Sequence, residues 1–260
     1  MEKISAIVTC HNREGEIERC LKSLRWADEL IVVDSFSTDR TPELAGKWAD
    51  RFYQREYLSP GAQKNWAVER ASHDWILVID SDEEVPRELA REVRRELESP
   101  RFDCYRVRRR AVFLGREMRF GAWATDSNYF LFRRGRYKYT EEVHELLLPE
   151  DKCGWFRHPL IHYTHRSLDE FIEKSHRYAA AGAEKYYSRG RRGYAARAFF
   201  HPVFNFTWNY FFRLGFLDGA RGLISGVLSS AYVAEKYARL WEISRKKRDG
   251  TGSPKGGETR

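Results

Sequence analysis

The segment that most constrains the fold is an apolar run that stops at two carboxylates one residue apart. Residues 75–79 read Trp-Ile-Leu-Val-Ile, and Asp80-Ser81-Asp82 follow directly. An apolar run of this length that ends in polar residues is typical of a buried parallel strand, whose carboxyl end opens on the crevice where α/β sheets bind ligands. Because carboxylate oxygens suit Mg²⁺ or Mn²⁺, the pair indicates a metal site. A solvated turn that caps the next helix is the alternative.

Two earlier segments repeat the pattern of an apolar run followed by a polar turn. Residues 4–9 precede a polar break, and residues 30–33 precede Asp34. Thr41-Pro42 and Ser59-Pro60 are helix-start signals, because proline fits the first position of a helix. Strands that alternate with short helices predict right-handed βαβ crossovers and a mostly parallel sheet flanked by helices. Three strands would then deliver polar residues to one edge of the sheet.

The strand ends and two later segments carry motifs in a distinctive order. The motifs are residues 6–12 (Ala-Ile-Val-Thr-Cys-His-Asn), 31–41 (Ile-Val-Val-Asp-Ser-Phe-Ser-Thr-Asp-Arg-Thr), 61–65 (Gly-Ala-Gln-Lys-Asn), 80–83 (Asp-Ser-Asp-Glu), 131–135 (Leu-Phe-Arg-Arg-Gly) and 143–145 (Val-His-Glu). Together they resemble the inverting family 2 glycosyltransferases, whose catalytic domain has the Rossmann-like GT-A fold. Within that family the chain is similar to small bacterial enzymes that add a sugar, often glucose, to the heptose region of the lipopolysaccharide core.

The resemblance implies a donor, an acceptor and a cofactor. The donor would be a nucleotide-diphosphate sugar, expected to be a UDP-hexose, and the acceptor a lipopolysaccharide-core or other lipid-linked glycan. Two positions depart from the family pattern. Phe36 stands where the family usually has glycine, which would adopt a positive φ more freely. The residue before Asp126 is Thr125, and the proline common there in close relatives is absent.

The resemblance also assigns the metal site. Asp82 would be the direct ligand of Mg²⁺ or Mn²⁺, and Asp80 would contact the ribose or bind the ion through water. An ion that bridges the diphosphate stabilises the negative charge that develops on the leaving group. His162 resembles the late histidine that completes the site in many GT-A enzymes. His158 and His165 are competitors for that role.

Four further residues are expected to bind the nucleotide. Asp34 resembles the acid that contacts the base, and Thr9 and Asn12 lie in the first loop beside it. Lys64 lies near a helix start, where a cation can meet the diphosphate. Two alternatives remain open: Asp34 and Asp39 cap the following helix, or Lys64 is an ordinary surface lysine.

An inverting displacement needs one catalytic base beside the acceptor hydroxyl, unlike the carboxylate pair of a glycoside hydrolase. Glu145 occupies the base position that the resemblance implies. Glu141 and Glu142 are close in sequence, and alternation in an extended segment could direct Glu142 inward instead. His144 either orients the acceptor or is a core histidine.

Composition limits the classes of protein to which the chain can belong. A chain of 260 residues with 42% hydrophobic content can bury the core of one catalytic domain. A net charge of +8 is compatible with nucleic acid, an anionic membrane surface or a phosphate-rich substrate. The four cysteines have no CxxC spacing, and no signal peptide is recognised. These features predict a cytoplasmic protein with reduced thiols.

The C-terminal part is rich in aromatic residues. No apolar run reaches the length of a membrane span. Residues 199–217 are rich in aromatics, and Arg197, Arg213 and Arg221 lie among or beside them, a pattern that suits the lipid headgroup boundary. The alternative is an ordinary aromatic helical core. We therefore expect a GT-A domain over residues 1–166, a helical elaboration over 167–243 that faces the inner surface of the cytoplasmic membrane, and a disordered basic tail over 244–260.

Two other functions compete with this hypothesis. A nucleotidyltransferase that acts on sugar phosphates would share the α/β fold and Mg²⁺, but such enzymes typically have a Gly-rich basic loop after the first strand, and here that loop, residues 10–15, has a single glycine. A nucleic-acid-binding module built on the basic C-terminal part would bind DNA or RNA in a salt-dependent manner. We expect a glycosyltransferase with no nucleic-acid partner.

Overall fold

The structure is a computed structural model that describes residues 2–140, 147 and 152–248. The described residues fall into two compact units, one within Met1–Val112 and Thr125–Thr164, the other within Phe113–Ala124 and His165–Arg260. The strands are β1 (Ile4–Cys10), β2 (Glu29–Asp34), β3 (Arg51–Gln54), β4 (Trp75–Asp80), β5 (Glu83–Glu84), β6 (Cys104–Phe113), β7 (Arg116–Glu117), β8 (Ser127–Arg133), β9 (Gly154–Trp155) and β10 (Leu160–His165). The helices are α1 (Ile17–Ser23), α2 (Thr41–Gly46), α3 (Pro60–Val68), α4 (Arg87–Glu96), α5 (Leu168–Ser188), α6 (Ala195–Thr207) and α7 (Gly219–Arg248).

The sheet has a parallel part and an antiparallel part. Among the described residues the strand order is β3-β2-β1-β4-β8-β6-β10-β5, with β7 and β9 both paired to β6. The first four strands of this order are parallel, whereas β8 is antiparallel to both β4 and β6. The predicted α/β class is therefore confirmed, and the sheet is mixed. In the parallel part Thr9 of β1 lies opposite Val33 of β2 on one side and Asp80 of β4 on the other, so the three strands end at one edge.

Helices on both faces explain why the strands read as continuous apolar runs. One buried cluster contains Val8 and Leu77 together with Leu21 of α1, and a second contains Ile7 and Ile76 together with Ala67 of α3. Successive side chains of one strand point to opposite faces, so both faces of β1 and β4 are buried. The predicted start of α3 is also observed: Pro60 is its first residue, and the Ser59 hydroxyl accepts a hydrogen bond from the Ala62 N–H at 3.1 Å.

The second unit is largely helical. A π-helix (Trp208–Phe212) and a 3₁₀-helix (Gly215–Asp218) connect α6 to α7, and a further 3₁₀-helix spans Gly121–Thr125. Gly222 of α7 allows a close approach, because a Cβ there would lie 1.9 Å from the Gly215 carbonyl oxygen. The Trp123 indole N–H donates to the Ser225 hydroxyl at 2.8 Å and attaches segment 113–124 to α7. The last helix continues through Arg248, so residues 244–248 are helical.

Candidate active site

The acidic motif after β4 is tied to β10, a strand that comes some eighty residues later in the chain. The Asp82 carbonyl accepts a hydrogen bond from the Tyr163 N–H at 2.9 Å, and Glu83 of β5 lies directly opposite His162 of β10 in an antiparallel pair. This register places the His162 Nε2 3.7 Å from an Asp82 carboxylate oxygen. Both side chains are largely buried, with 18% and 14% of their surface exposed.

The other ring nitrogen of His162 faces a second carboxylate. His162 Nδ1 lies 3.8 Å from Asp126, which is within ion-pair range but too long for a hydrogen bond. Asp126 also accepts a hydrogen bond from Arg109 at 2.9 Å. Burial lowers the pKa of His162, but the nearby carboxylates of Asp126 and Asp82 outweigh it, so the pKa is raised above its ordinary value. Burial likewise raises the pKa of Asp126, whereas His162 and Arg109 lower it, and the net shift is downward.

Glu83, Arg109 and Asp126 lie at the site, although no role was predicted for them from the sequence, in which Glu83 ends the motif of residues 80–83. Glu83 is 1% exposed and accepts hydrogen bonds from the Asp80 N–H at 2.9 Å and from Arg109 at 3.3 Å. Burial raises the pKa of Glu83 to about 7, and the neighbouring Asp80 carboxylate adds to the effect. Arg109 lies in the run Arg-Val-Arg-Arg-Arg over residues 106–110, and nothing in that run distinguishes it from its neighbours.

Lys64 and Asp80 form an ion pair. The Lys64 Nζ lies 2.9 Å from an Asp80 carboxylate oxygen, and the lysine side chain is 4% exposed. The alternative of an ordinary surface lysine is therefore wrong. Desolvation raises the pKa of Asp80, but the Lys64 ammonium outweighs it, with help from Arg109 and His162, so the pKa falls to about 2. Asp80 carries a full negative charge at neutral pH, and its side chain is about one-third exposed.

Asp34 is completely buried and organises the turn that follows β2. Its carboxylate accepts hydrogen bonds from the Ser37 N–H at 2.9 Å, from the Ser37 hydroxyl and from the Gln54 amide at 3.2 Å. Asp39 instead accepts from the Thr41 N–H at 2.9 Å, at the start of α2. Of the two acids named in the helix-capping alternative, Asp39 therefore bonds the first turn of α2, whereas Asp34 bonds the preceding turn.

The loops after β1 and β2 are joined through Asn12. Its side-chain oxygen accepts from the Thr38 N–H at 2.8 Å, and its own N–H donates to the Ser37 hydroxyl at 2.8 Å. Thr9, the next-to-last residue of β1, is partly exposed between the ends of β2 and β4. Thr9, Asn12, Asp34, Asp80 and Lys64 thus all lie at the carboxyl edge of the parallel strands or in the segments that follow.

The competing histidines have other partners. His158 Nδ1 lies 2.7 Å from a Glu92 carboxylate oxygen of α4. The His165 ring packs against Phe171, with ring centroids 4.6 Å apart, and against Phe113. Of the three histidines proposed from the sequence, the one beside Asp82 is His162.

The expected base lies outside the described residues. Glu145, and with it Glu141, Glu142 and His144, falls in a segment whose placement is not described. The flanking residues Tyr139 and Leu147 are both buried and form an antiparallel bridge. Asn65 of α3 exchanges two hydrogen bonds of 2.9 Å with the Tyr139 backbone.

The donor set at Asp82 and His162 fits a divalent ion whose coordination a substrate completes. Ligand atoms lie about 2.1 Å from Mg²⁺, so an oxygen and a nitrogen 3.7 Å apart can both reach one ion. Within the described part of the chain, no group of three or more His, Cys, Asp or Glu side chains is arranged to hold an ion. The single carboxylate of this pair is consistent with Mg²⁺, which typically uses one or two carboxylates and takes further oxygens from substrate phosphates.

Comparison with known proteins identifies the protein family. Residues 5–155, more than half of the chain, match the model of glycosyl transferase family 2. The lipopolysaccharide core biosynthesis glycosyltransferase LpsC of Rhizobium meliloti is 30% identical over 252 residues, which cover 90% of this chain and 93% of LpsC. The chain belongs to glycosyl transferase family 2, so it is a glycosyltransferase, and the resemblance drawn from its motifs is confirmed.

Two solved structures resemble the chain more distantly. The crystal structure of S. aureus TarS 1-349 is 17% identical, with 95% of this chain and 92% of that chain covered and a TM-score of 0.47. Glucosyl-3-phosphoglycerate synthase of Mycobacterium tuberculosis, solved with Mn²⁺, UDP and glucosyl-3-phosphoglycerate, is 26% identical over 43% of this chain and 44% of that chain, with a TM-score of 0.36. Both TM-scores are below 0.5, so these two structures do not establish the fold class of the chain. The fold class follows from the sheet topology and the family match.

Proposed function

We propose that the protein is a metal-dependent, inverting glycosyltransferase that moves a hexose, expected to be glucose, from a nucleotide-diphosphate sugar to a lipopolysaccharide-core or other cell-envelope glycan. The observation that most directly supports this proposal is the Asp82–His162 pair, held 3.7 Å apart at the carboxyl edge of the parallel strands. The similarity to LpsC supports the acceptor class. UDP is the expected nucleotide.

In this proposal Asp82 and His162 hold Mg²⁺ or Mn²⁺, which when bound supplies Lewis-acid stabilisation of the diphosphate leaving group. The negative charge of Asp126, 3.8 Å from His162 Nδ1, favours a proton on that nitrogen and leaves Nε2 free to bind the ion. Arg109 holds Asp126 in place through its 2.9 Å hydrogen bond. These two residues therefore position His162 without touching the substrate.

The same proposal assigns the donor contacts. Lys64 holds one oxygen of Asp80, so the other oxygen can accept from a ribose hydroxyl or bind the ion through water. A diphosphate that approaches Asp80 would also meet the Lys64 ammonium. Thr9, Asn12 and Asp34 are our proposed contacts to the nucleoside, with Asp34 at the base, and Asp34 also holds the turn after β2 through its bond to the Ser37 N–H.

Glu145 is our proposed catalytic base. It would take the proton from the acceptor hydroxyl as that oxygen attacks the anomeric carbon and the bond to the diphosphate breaks. One base suffices for an inverting displacement. Glu142 remains the alternative.

We assign catalysis to residues 1–166 and attachment to the inner face of the cytoplasmic membrane to residues 167–243, with the basic segment 244–260 adding electrostatic attraction. The support is the exposure of seven apolar residues, named here the aromatic face: Phe199, Phe200, Val203, Phe204, Trp208, Phe211 and Phe212. Each is at least 47% exposed, and no residue of α6 is buried. The alternative of an ordinary aromatic core does not account for this exposure.

Charge around the aromatic face supports a lipid partner. Residues 189–217 contain five arginines and no acidic residue. Rings buried at the headgroup boundary, with cations beside them, are the pattern that binds anionic membranes. No helix among the described residues combines the length and the apolar character needed to span a bilayer.

A donor screen tests the proposed reaction. The full-length protein is incubated with UDP-, GDP-, TDP- and ADP-hexoses, with Mn²⁺ or with EDTA, and release of the free nucleotide is measured. We expect release from one nucleotide class, UDP first, that requires the metal. Release of diphosphate from a nucleoside triphosphate and a sugar phosphate, without hydrolysis or transfer from any nucleotide sugar, would instead identify a nucleotidyltransferase.

A further inference from the structure

Phe36 has a backbone conformation that its side chain disfavours. Its φ is +54°, in the left-handed region that glycine adopts without a steric penalty and in which a bulky residue is strained. Phe36 is 55% exposed, so its side chain is not part of the buried core. Among the described residues of the first unit, the other non-glycine residue with positive φ is Asn12, which lies in the neighbouring loop. Strain of this kind tends to concentrate at ligand sites.

The surrounding turn fixes the Phe36 backbone. Asp34 accepts from the Ser37 N–H at 2.9 Å, and Asn12 binds both Ser37 and Thr38 at 2.8 Å. These bonds lie on both sides of Phe36 and depend on backbone atoms and polar side chains, which would be equally well placed if residue 36 were glycine. The fold therefore does not need a phenyl ring at this position.

The residue next to Phe36 bonds groups that could form one face of a binding slot. Ser35, the preceding residue, has its carbonyl oxygen 3.0 Å from the His11 Nδ1 and its hydroxyl 2.9 Å from the Gln63 amide nitrogen. His11 is exposed and belongs to the loop after β1. An imidazole and a phenyl ring are thus anchored to the same turn, at the carboxyl ends of adjacent strands.

The order of the strands indicates which part of a donor would reach this turn. The proposed diphosphate site is at the end of β4, β1 lies next to β4, and β2 lies beyond β1. Neighbouring strands are about 4.8 Å apart, so the end of β2 lies about 10 Å from the end of β4. A ribose can bridge such a gap and carry the base to the turn after β2. Flat bases stack on aromatic side chains.

We propose that Phe36 is a stacking residue for the nucleobase of the sugar donor. This inference rests on the proposed function, because it assumes a nucleotide donor with its diphosphate at Asp80 and Asp82. The exposed ring supplies a face for the base, and the strained turn holds that ring in place before the donor binds. A phenyl ring stacks on any base, so Phe36 contributes affinity rather than base selectivity.

The test compares Phe36→Leu, Phe36→Tyr and Phe36→Gly with the wild-type protein, with Mn²⁺ present. Binding of UDP and of inorganic diphosphate is measured by calorimetry, and thermal unfolding is recorded. Stacking predicts that Phe36→Leu weakens UDP binding about tenfold, the equivalent of about 1.4 kcal/mol, while Phe36→Tyr keeps it. Diphosphate binding should be unchanged in all three variants. Phe36→Gly should lose UDP affinity as Phe36→Leu does and yet unfold at a higher temperature, because the strain is relieved.

Three results would overturn the proposal. Wild-type UDP affinity in Phe36→Leu would remove the stacking role. If Phe36→Leu weakened the binding of UDP and of diphosphate equally, the substitution would be disturbing the whole carboxyl edge of the sheet. A rise in the acceptor KM with unchanged UDP affinity would assign the ring to the acceptor. If the wild-type protein binds diphosphate but none of UDP, GDP, TDP and ADP, the donor assignment itself fails, and the role of Phe36 fails with it.

Discussion

Single carboxylates at the carboxyl edge of the sheet differ in what they can do, because their partners differ. Asp34 is buried and accepts hydrogen bonds from its own turn and from Gln54, and Asp80 is paired with Lys64. For Asp82 the side-chain contact described is with His162, whose Nε2 lies 3.7 Å from a carboxylate oxygen. Asp82 is therefore the carboxylate best placed to bind an added cation.

Asp82→Asn should lower turnover by more than about 10²-fold, because even residues that only support a metal ligand typically contribute 10–100-fold. The fold should persist, and EDTA should have the same effect on the wild-type protein. The measurement is initial rate of transfer against Mn²⁺ concentration. Asp74→Asn is the matched control, since Asp74 precedes the other end of β4 and is 66% exposed. Full activity of Asp82→Asn in EDTA would remove the metal from the mechanism.

Glu145→Gln should lower kcat by about 10²–10⁴-fold while UDP binding survives, because the amide keeps the size of the carboxylate but cannot accept a proton. Transfer rates under chemistry-limited conditions, with UDP affinity measured in parallel, check this expectation. Glu142→Gln is the control. An inactive Glu142→Gln beside a nearly normal Glu145→Gln would identify Glu142 as the base.

Glu29, at the amino end of β2, should make stability depend on pH. It is 6% exposed and bonds the Ser72 N–H at 2.8 Å and the Ser5 hydroxyl. Burial raises its pKa, but these bonds outweigh the effect, so the folded-state pKa is lowered. A lowered pKa means that the stabilisation is present above the unfolded-state pKa of about 4.3 and is lost as pH falls through the folded-state value.

Chemical unfolding of wild type and Glu29→Gln at several pH values checks this expectation. The variant should be less stable than wild type at pH 6, and the gap in the free energy of unfolding should narrow as pH falls below about 4.3. A gap of equal size at pH 6 and pH 3 would show that the charge of Glu29 does not contribute.

At the scale of elements, the pairing of β10 with β5 supports the proposed metal site, and the exposure of α6 supports the proposed membrane attachment. The first brings His162 to Asp82. The second leaves the aromatic face in solvent, where Phe204, Trp208 and Phe212 stack in a row with ring centroids 5.9 and 5.4 Å apart. Such a row can enter the headgroup boundary as one unit.

Replacement of Phe204, Trp208 or Phe212 by alanine should weaken binding to anionic vesicles by about tenfold each, because each ring loses part of the roughly 1.5–3 kcal/mol that burial of a large apolar side chain provides. Co-sedimentation with vesicles that contain anionic lipid measures the effect. Leu58→Ala is the matched control, since Leu58 is 66% exposed in the first unit. Binding that is indifferent to anionic lipid, or equal in all variants, would contradict the proposal.

At the scale of the whole molecule, a net charge of +8 attracts any polyanion. The exposed rings distinguish a lipid surface, which they can enter, from a nucleic acid that binds through charge alone. Purely electrostatic binding through 6–10 phosphate contacts falls by about 10³–10⁵-fold between 50 and 200 mM salt. Insertion of rings into a bilayer adds a component that salt does not screen.

We therefore expect the protein to release duplex DNA at 200 mM salt while part of it stays on anionic vesicles, although vesicle binding also weakens as salt rises. Parallel salt titrations of DNA binding and vesicle binding make the comparison. DNA affinity that persists at 200 mM salt beyond vesicle affinity would favour the nucleic-acid-binding alternative.

The sequence by itself determined the parallel strands, the edge of the sheet at which they end and the family, because these depend on local patterns. The apolar run that ends at Asp80 indicates a strand and its carboxyl end, Pro60 after a capping serine indicates a helix start, and the ordered motifs indicate the family. Tertiary structure decided the partners. The sequence left His158 and His165 as competitors of His162 until the β10–β5 register placed His162 at Asp82. It also left open that Lys64 is a surface residue until α3 packed it beside Asp80. Arg109 carried no signal, since its role comes from contacts with Glu83 and Asp126, which are distant in the chain. The aromatic face fitted either a core or a membrane surface, and only the packing of the helices determined which side chains stay in solvent.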